Sequence, residues 1–255
     1  MSAPSRTTGV VDLLLALGDD ALVASQRLGW WISRAPELEE DLALANIALD
    51  LLGQARALLS RAGELEGRGR DEDDLAYWRD ARELRNVCLV ERDQRDFGVT
   101  VVRLLVLSTW QRHLYEALCA STEPVLAGVA AKAVKEVAYH QDHARLWVLR
   151  LGDGTEHSHE RVQRALAQEW PWVEELFDSS WLDPQVVASG VAPDPATLRA
   201  PVLAGLTTVL EEATLELPDG PATLARGRSG LHTEELGPLL AQMQHLARSH
   251  PGASW

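Results

Sequence analysis

Apolar residues recur along this chain at intervals of three and four, the spacing that lines one face of a helix. Between Val10 and Ser33 the stripe is Leu14, Leu17, Ala21, Ala24, Leu28 and Trp31, which predicts a long amphipathic helix. Pro36 suits the first turn of a second helix, where its missing N–H costs nothing, and Glu37, Glu39, Glu40 and Asp41 put negative charge at that helix's positive end. This helix runs to about Gly63 and shows two apolar faces. One is Leu38, Leu42, Ala45, Leu49 and Leu52, and the other is Ile47, Leu51 and Leu58. Apolar residues on opposite sides predict burial between neighbours, which places Asn46 and Asp50 in or near the core.

The stretch Gly63–Asp74 is rich in glycine and charge and reads as an exposed loop, and Asp74–Arg92 carries mixed signals, with Tyr77 and Trp78 in a short helix and Val87–Val90 packing down. Asp96 can cap a third long helix, Phe97–Ala120. Thr122 and Pro124 open a fourth, closed by Gly152. A fifth helix starts at Ser158, kinks at Pro171 and ends near Phe177, and Asp178–Pro193 is irregular. Further helices are expected from Asp194–Pro195 to about Thr214, and from Thr233 through Leu236, Leu240, Met243 and Leu246. Alternation of period two is absent, and there is no internal repeat. The prediction is an all-α, ferritin-like four-helix bundle with additional short C-terminal helices. Residues 1–9 form a flexible N-terminus and residues 10–255 one helical domain, with the core bundle over about 10–152 and accessory helices over about 158–250.

Charge and cysteine content narrow the function classes. The formal net charge is −14, from 24 Lys and Arg against 38 Asp and Glu. Such a surface repels nucleic-acid phosphates and anionic lipid, so neither is expected as a partner. Cys88 and Cys119 form no metal or disulfide spacing and read as reduced thiols of a cytoplasmic protein. No apolar run of eighteen residues is expected to span a membrane, and the N-terminus lacks the cleavage site of a signal peptide.

Candidate chemistry centres on the fourth helix, where Glu136, His140 and His143 fall on or beside the Ala133, Val137, Ala144 stripe. Carboxylate-bridged di-iron bundles use Glu-x-x-His on two helices and one Glu on each of two others. Here the residue three after Glu136 is Tyr139, and His140 comes one position late, rotated by about 100°. The second helix offers Asp50 with Gly53 at the imidazole position. The first offers Gln26, with Asp19 and Asp20 nearer its start, and the third has no carboxylate from Phe97 to Tyr115. The expectation is therefore no metal, cofactor or catalytic residue in this chain. Asp50, Arg103, Glu136 and His140 read instead as a relic of ligand positions: a buried charge cluster in which Arg103 pairs the two acids. His157 and His159 lie in a turn, and Arg226 and Arg228 read as solvated loop arginines. Nine tryptophans stand against two phenylalanines, and the adjacent Trp30 and Trp31 cannot both face one core, so they mark a candidate interface.

Five stretches carry a family resemblance: LGDDALVASQRLGWW, APELEEDLALANIALDLLGQAR, AVKEVAYHQDHARLW, GLHTEELGPLLAQMQHL and the terminal PGASW. In this order they closely resemble the C subunits of bacterial phenylacetyl-CoA epoxidase, from about Leu14 to Trp255. The resemblance implies a ferritin-like fold and a place in a multicomponent monooxygenase of aerobic phenylacetate breakdown. It implies a catalytic A subunit as partner, which carries the di-iron site and the thioester substrate, a flavin and iron–sulfur reductase, and a structural, non-catalytic role for this chain. Self-association and contacts with other subunits of the complex are also expected. The alternatives from other classes are a stand-alone ferritin-like metallo-oxygenase and a homo-oligomeric helical binding protein.

Overall fold

A computed structural model of the chain describes residues 6–93 and 96–253. Its α-helices are α1 Arg6–Gly29, α2 Leu38–Glu66, α3 Glu72–Tyr77, α4 Cys88–Glu91, α5 Phe97–Leu118, α6 Pro124–Gly152, α7 Glu156–Glu169, α8 Pro184–Ala188, α9 Arg199–Glu212 and α10 Leu236–Ser249. No strand is found among the described residues, and the fold is all-α, as the ferritin-like class requires. The first five residues of the loose N-terminus expected over 1–9, and the terminal Trp255, lie outside the described residues; α1 begins at Arg6 rather than Val10.

Two compact units share the chain. The first combines residues 1–93, 181–189 and 225–255, and the second combines residues 94–180 and 190–224. In the first unit, a short link turns α1 back so that α1 and α2 pack antiparallel. Leu14, Leu17, Ala21 and Leu28 of α1 are buried, as are Ile47, Leu51 and Leu58 of α2. The other apolar face of α2 departs from expectation. Leu38, Leu42 and Leu49 are 71%, 60% and 63% exposed, Asn46 is exposed and Asp50 is half-buried. Two apolar stripes on one helix show only that two surfaces are available; in this chain one of them is occupied. The short helix expected at Tyr77 and Trp78 is α3, which ends at Tyr77; a 3-10 turn at Ala81–Glu83 and α4 follow, and Val87, Leu89 and Val90 are buried, as expected. Asp71 caps α3 by accepting from Asp74 N.

In the second unit α5 and α6 form another antiparallel pair. Most residues of α5 are buried, and its hydroxyls bond back to the helix itself: Ser108 Oγ to Leu104 O at 2.6 Å and Thr109 Oγ1 to Leu105 O at 2.7 Å. Asp96 caps α5 through Gly98 N, as its position predicts. The buried stripe of α6 is Leu126, Ala130, Ala133, Val137, His140, Ala144 and Val148. α7 ends at Glu169, and the chain tightens into a 3-10 helix over Trp170–Phe177, where Pro171 can no longer supply the amide an α-helix needs. The stretch expected to be irregular over Asp178–Pro193 contains the short α8.

Candidate functional site

Adjacent residues on a helix point about 100° apart, so the neighbouring acids Asp19 and Asp20 of α1 face different segments. Both are buried. Arg79, just past α3, grips Asp19 with both terminal nitrogens, Nη1 to Oδ2 at 3.0 Å and Nη2 to Oδ1, and Arg85 N donates to the same carboxylate at 2.8 Å. A fork of this kind matches the two carboxylate oxygens. Gln244 of α10 extends the arrangement by donating to Arg79 O at 2.9 Å and Ala76 O at 3.0 Å.

Asp20 is held from the other direction. Arg228 Nη2 reaches its Oδ2 at 2.6 Å and Val87 N donates to Oδ1 at 2.8 Å. Arg228 Nη1 also donates to Ala16 O and to Arg85 O, each at 2.9 Å, and its guanidinium lies 5.0 Å from the centre of the Trp181 ring. The reading of Arg228 as a solvated loop arginine is therefore corrected. It is buried, because a carboxylate inside α1 requires a cation and the loop before α10 supplies it.

A third cluster surrounds Glu91, also fully buried. Asn86 Nδ2 and His232 Nδ1 approach its Oε2 at 2.8 and 2.7 Å, and Thr233 N donates to Oε1. His232 Nε2 lies 3.1 Å from Leu84 O, a pure acceptor, so that nitrogen carries a proton. Cys88 Sγ completes a group of potential metal-ligating atoms within 4.8 Å of one another. In this geometry a hydrogen bond joins His232 Nδ1 to Glu91, and a metal ion would have to displace it. Cys88 and Glu91 stand three residues apart on α4, and only tertiary folding brings His232 to them.

In the second unit Arg103 of α5 meets a buried carboxylate from α7. Arg103 donates from Nε to Glu169 Oε2 at 2.9 Å, both side chains being buried. Glu169 at the end of α7 is fully buried and meets this cation, a partner that the helical spacing did not predict. Glu136 is half-buried and bonded to the exposed Lys132 one turn earlier, Nζ to Oε1 at 2.9 Å. His140 sits within the buried stripe of α6, whereas Tyr139 is 51% exposed, and its ring lies 6.4 Å from that of His140. Gln141 links α6 to α5 by donating to Thr109 Oγ1 at 3.1 Å and accepting from Arg112 Nη1 at 3.0 Å. His159, expected in a turn, lies on α7 and donates from Nδ1 to Gly152 O at 2.8 Å, satisfying a carbonyl at the end of α6. Asp50 lies on α2 in the first unit, and Arg103, Glu136 and His140 lie in the second.

The two tryptophans separate as their adjacency requires. Trp31 is 5% exposed and belongs to the core. Trp30 is 37% exposed, packs edge-on against Trp31 with ring centres 5.1 Å apart, and carries the Arg34 guanidinium 5.0 Å from its ring centre. α2 is long and apolar enough to cross a membrane by length and composition alone, with 44% of the relevant stretch buried in the protein.

These buried clusters fasten segments together and leave their carboxylates closely hydrogen-bonded. Comparison with known proteins gives the biological setting. The family model for the phenylacetic acid catabolic proteins matches residues 1–255. The C subunit of the 1,2-phenylacetyl-CoA epoxidase of Escherichia coli (strain K12) is 48% identical over 241 residues, covering 94% of this chain and 97% of that protein. Matched along its whole length by the family model, and across nearly all of a known epoxidase component, this chain belongs to the phenylacetic acid catabolic protein family.

Proposed function

We propose that this chain is a non-catalytic subunit of a phenylacetyl-CoA epoxidase, acting in phenylacetate catabolism by pairing with the di-iron catalytic subunit and stabilising it. The observation that carries this reading is the use made of the buried carboxylates. Asp19, Asp20 and Glu169 each face an arginine, and Glu91 faces His232. A carboxylate neutralised by a guanidinium in this way is a poor bridge between two cations, because binding metal would leave the arginine buried and unpaired. The donor set adds to the argument. Gly53 and Tyr139 occupy the imidazole positions, and α5 has no carboxylate from Phe97 to Tyr115, so the residues present do not fit a carboxylate-bridged di-iron centre.

Reconstitution tests this reading. The catalytic partner expressed with this chain should accumulate as a complex and turn over phenylacetyl-CoA when the reductase is supplied. Without the chain, yield and turnover should both fall. Elemental analysis should place the iron with the catalytic partner. Two tightly held irons on this chain purified alone, with the optical band of an oxo-bridged pair, would favour a stand-alone metallo-oxygenase instead.

A further inference from the structure

We propose that the exposed leucine stripe of α2 is the seat of a helix from the catalytic subunit. The inference rests on the reading that this chain is a subunit of the epoxidase, and names the surface through which it pairs. Leu38, Leu42, Ala45, Leu49 and Leu52 follow one another at intervals of four, three, four and three. That alternation is the seam one helix presents to another, since it keeps apolar side chains in line along a partner's axis. From Leu38 to Arg56 the seam is about 27 Å long at 1.5 Å per residue.

Three leucines of this seam are more than half exposed, while the opposite stripe of the same helix, Ile47, Leu51 and Leu58, is fully buried. The second face meets the core, while Leu38, Leu42 and Leu49 of the first remain exposed and available for a partner, with Ala45 and Leu52 half-buried between them. The apolar surface continues past the helix start. Trp30 and Ile32 are 37% and 50% exposed, and their loop is tied to the first turn of α2. Ser33 N donates to Asp41 Oδ2 at 2.8 Å and Ala35 N to Asp41 Oδ1 at 3.4 Å.

Charge selects the occupant. At the N-terminal end of the seam the exposed acids are Glu37 and Glu39. A second copy of this chain would bring another net charge of −14 against the first. Arg56, the cation at the far end of the seam, is already turned to Glu72 at 3.2 Å. The surface instead fits a helix of a different chain, apolar at the same three-four spacing and carrying Lys or Arg opposite Glu37 and Glu39. Such charges steer the encounter and set orientation, and the leucines supply the contact.

The test uses the full chain with Leu42→Glu and Leu49→Glu together, co-expressed with the catalytic subunit and titrated against it. Circular dichroism and the thermal midpoint of the chain alone check folding, and Leu38→Glu at the helix start serves if the double variant folds poorly. Affinity for the catalytic subunit should fall at least about tenfold with the fold intact. Leu146→Glu, at an exposed position on α6, should leave it unchanged. Wild-type pairing should weaken as salt rises, and Glu37→Lys with Glu39→Lys should weaken pairing at low salt. If wild type pairs and the leucine variants pair equally well, the surface is wrong while the subunit reading stands. If wild type does not pair, both fall. A wild-type homodimer, or binding to neutral vesicles, that the leucine variants abolish while pairing with the catalytic subunit persists would assign the stripe to a second copy or to lipid, and overturn the proposal.

Discussion

Arg228 and Asp20 stand 208 positions apart in the chain and meet at 2.6 Å, the guanidinium of a C-terminal loop closing on a carboxylate in the middle of the first helix. Removing one member of such a buried pair strands the other. Arg228→Met is therefore expected to destabilise the protein by ~3–5 kcal/mol. Adding Asp20→Asn should recover part of the loss, because an uncharged amide no longer needs the cation and its oxygen can still accept from Val87 N. Urea unfolding of wild type, the single variant and the double variant checks this. An Arg228→Met protein as stable as wild type would contradict the pair's structural role.

The pairing of Arg103 with Glu169 leads to a parallel expectation. Both side chains are buried, so Arg103→Met should cost ~3–5 kcal/mol and the double change with Glu169→Gln considerably less. A double-mutant cycle should thus show strong coupling of Arg103 to Glu169.

Close approach of backbone to backbone makes Gly227 intolerant of a side chain. A Cβ there would overlap the carbonyl oxygen of Asn86 and press on Cys88 N. The segment carrying Arg228 and His232 would have to lift away from the one carrying Asn86 and Glu91. Gly227→Ala is expected to destabilise by several kcal/mol, on the order of a lost buried ion pair, and to raise amide exchange across residues 225–235. Unchanged exchange in that segment would refute the contact's importance.

Glu66 ends α2, where the helix leaves its carbonyls unpaired and a carboxylate is poorly placed. The side chain of Arg70 compensates with two bonds, at 2.6 and 2.7 Å. The Arg70 hydrogen bond, the largest influence on it, holds the Glu66 carboxyl below its usual value of 4.5. A depressed folded-state pKa means that the pair's stabilisation is present above the unfolded value and disappears as pH falls through the folded one. Glu66→Gln should therefore cost ~1 kcal/mol or less at neutral pH, given the partial exposure of Arg70. The gap between variant and wild type should close as pH drops below 4.5. Thermal midpoints across that range provide the measurement.

The all-α class and the long helices were legible from residue order alone, because helical periodicity is local and the caps at Asp96 and Pro124 act within one turn. The family was equally legible in the motif stretches around Asp19, Leu42 and His140. Which of α2's two apolar faces is buried was not legible, since a stripe of leucines reads the same whether it meets the core or awaits another chain. Ion pairing was the other part hidden in the linear chain. Arg103, Glu136 and Asp50 were grouped by helical spacing, yet the buried carboxylate that meets Arg103 is Glu169, delivered by a later helix. Arg228 looked solvated in a glycine-bearing loop until folding placed it against Asp20. Periodicity reports the direction of a side chain from its own helix axis, and burial and pairing depend on what the rest of the chain brings to that side, which only the tertiary structure decided.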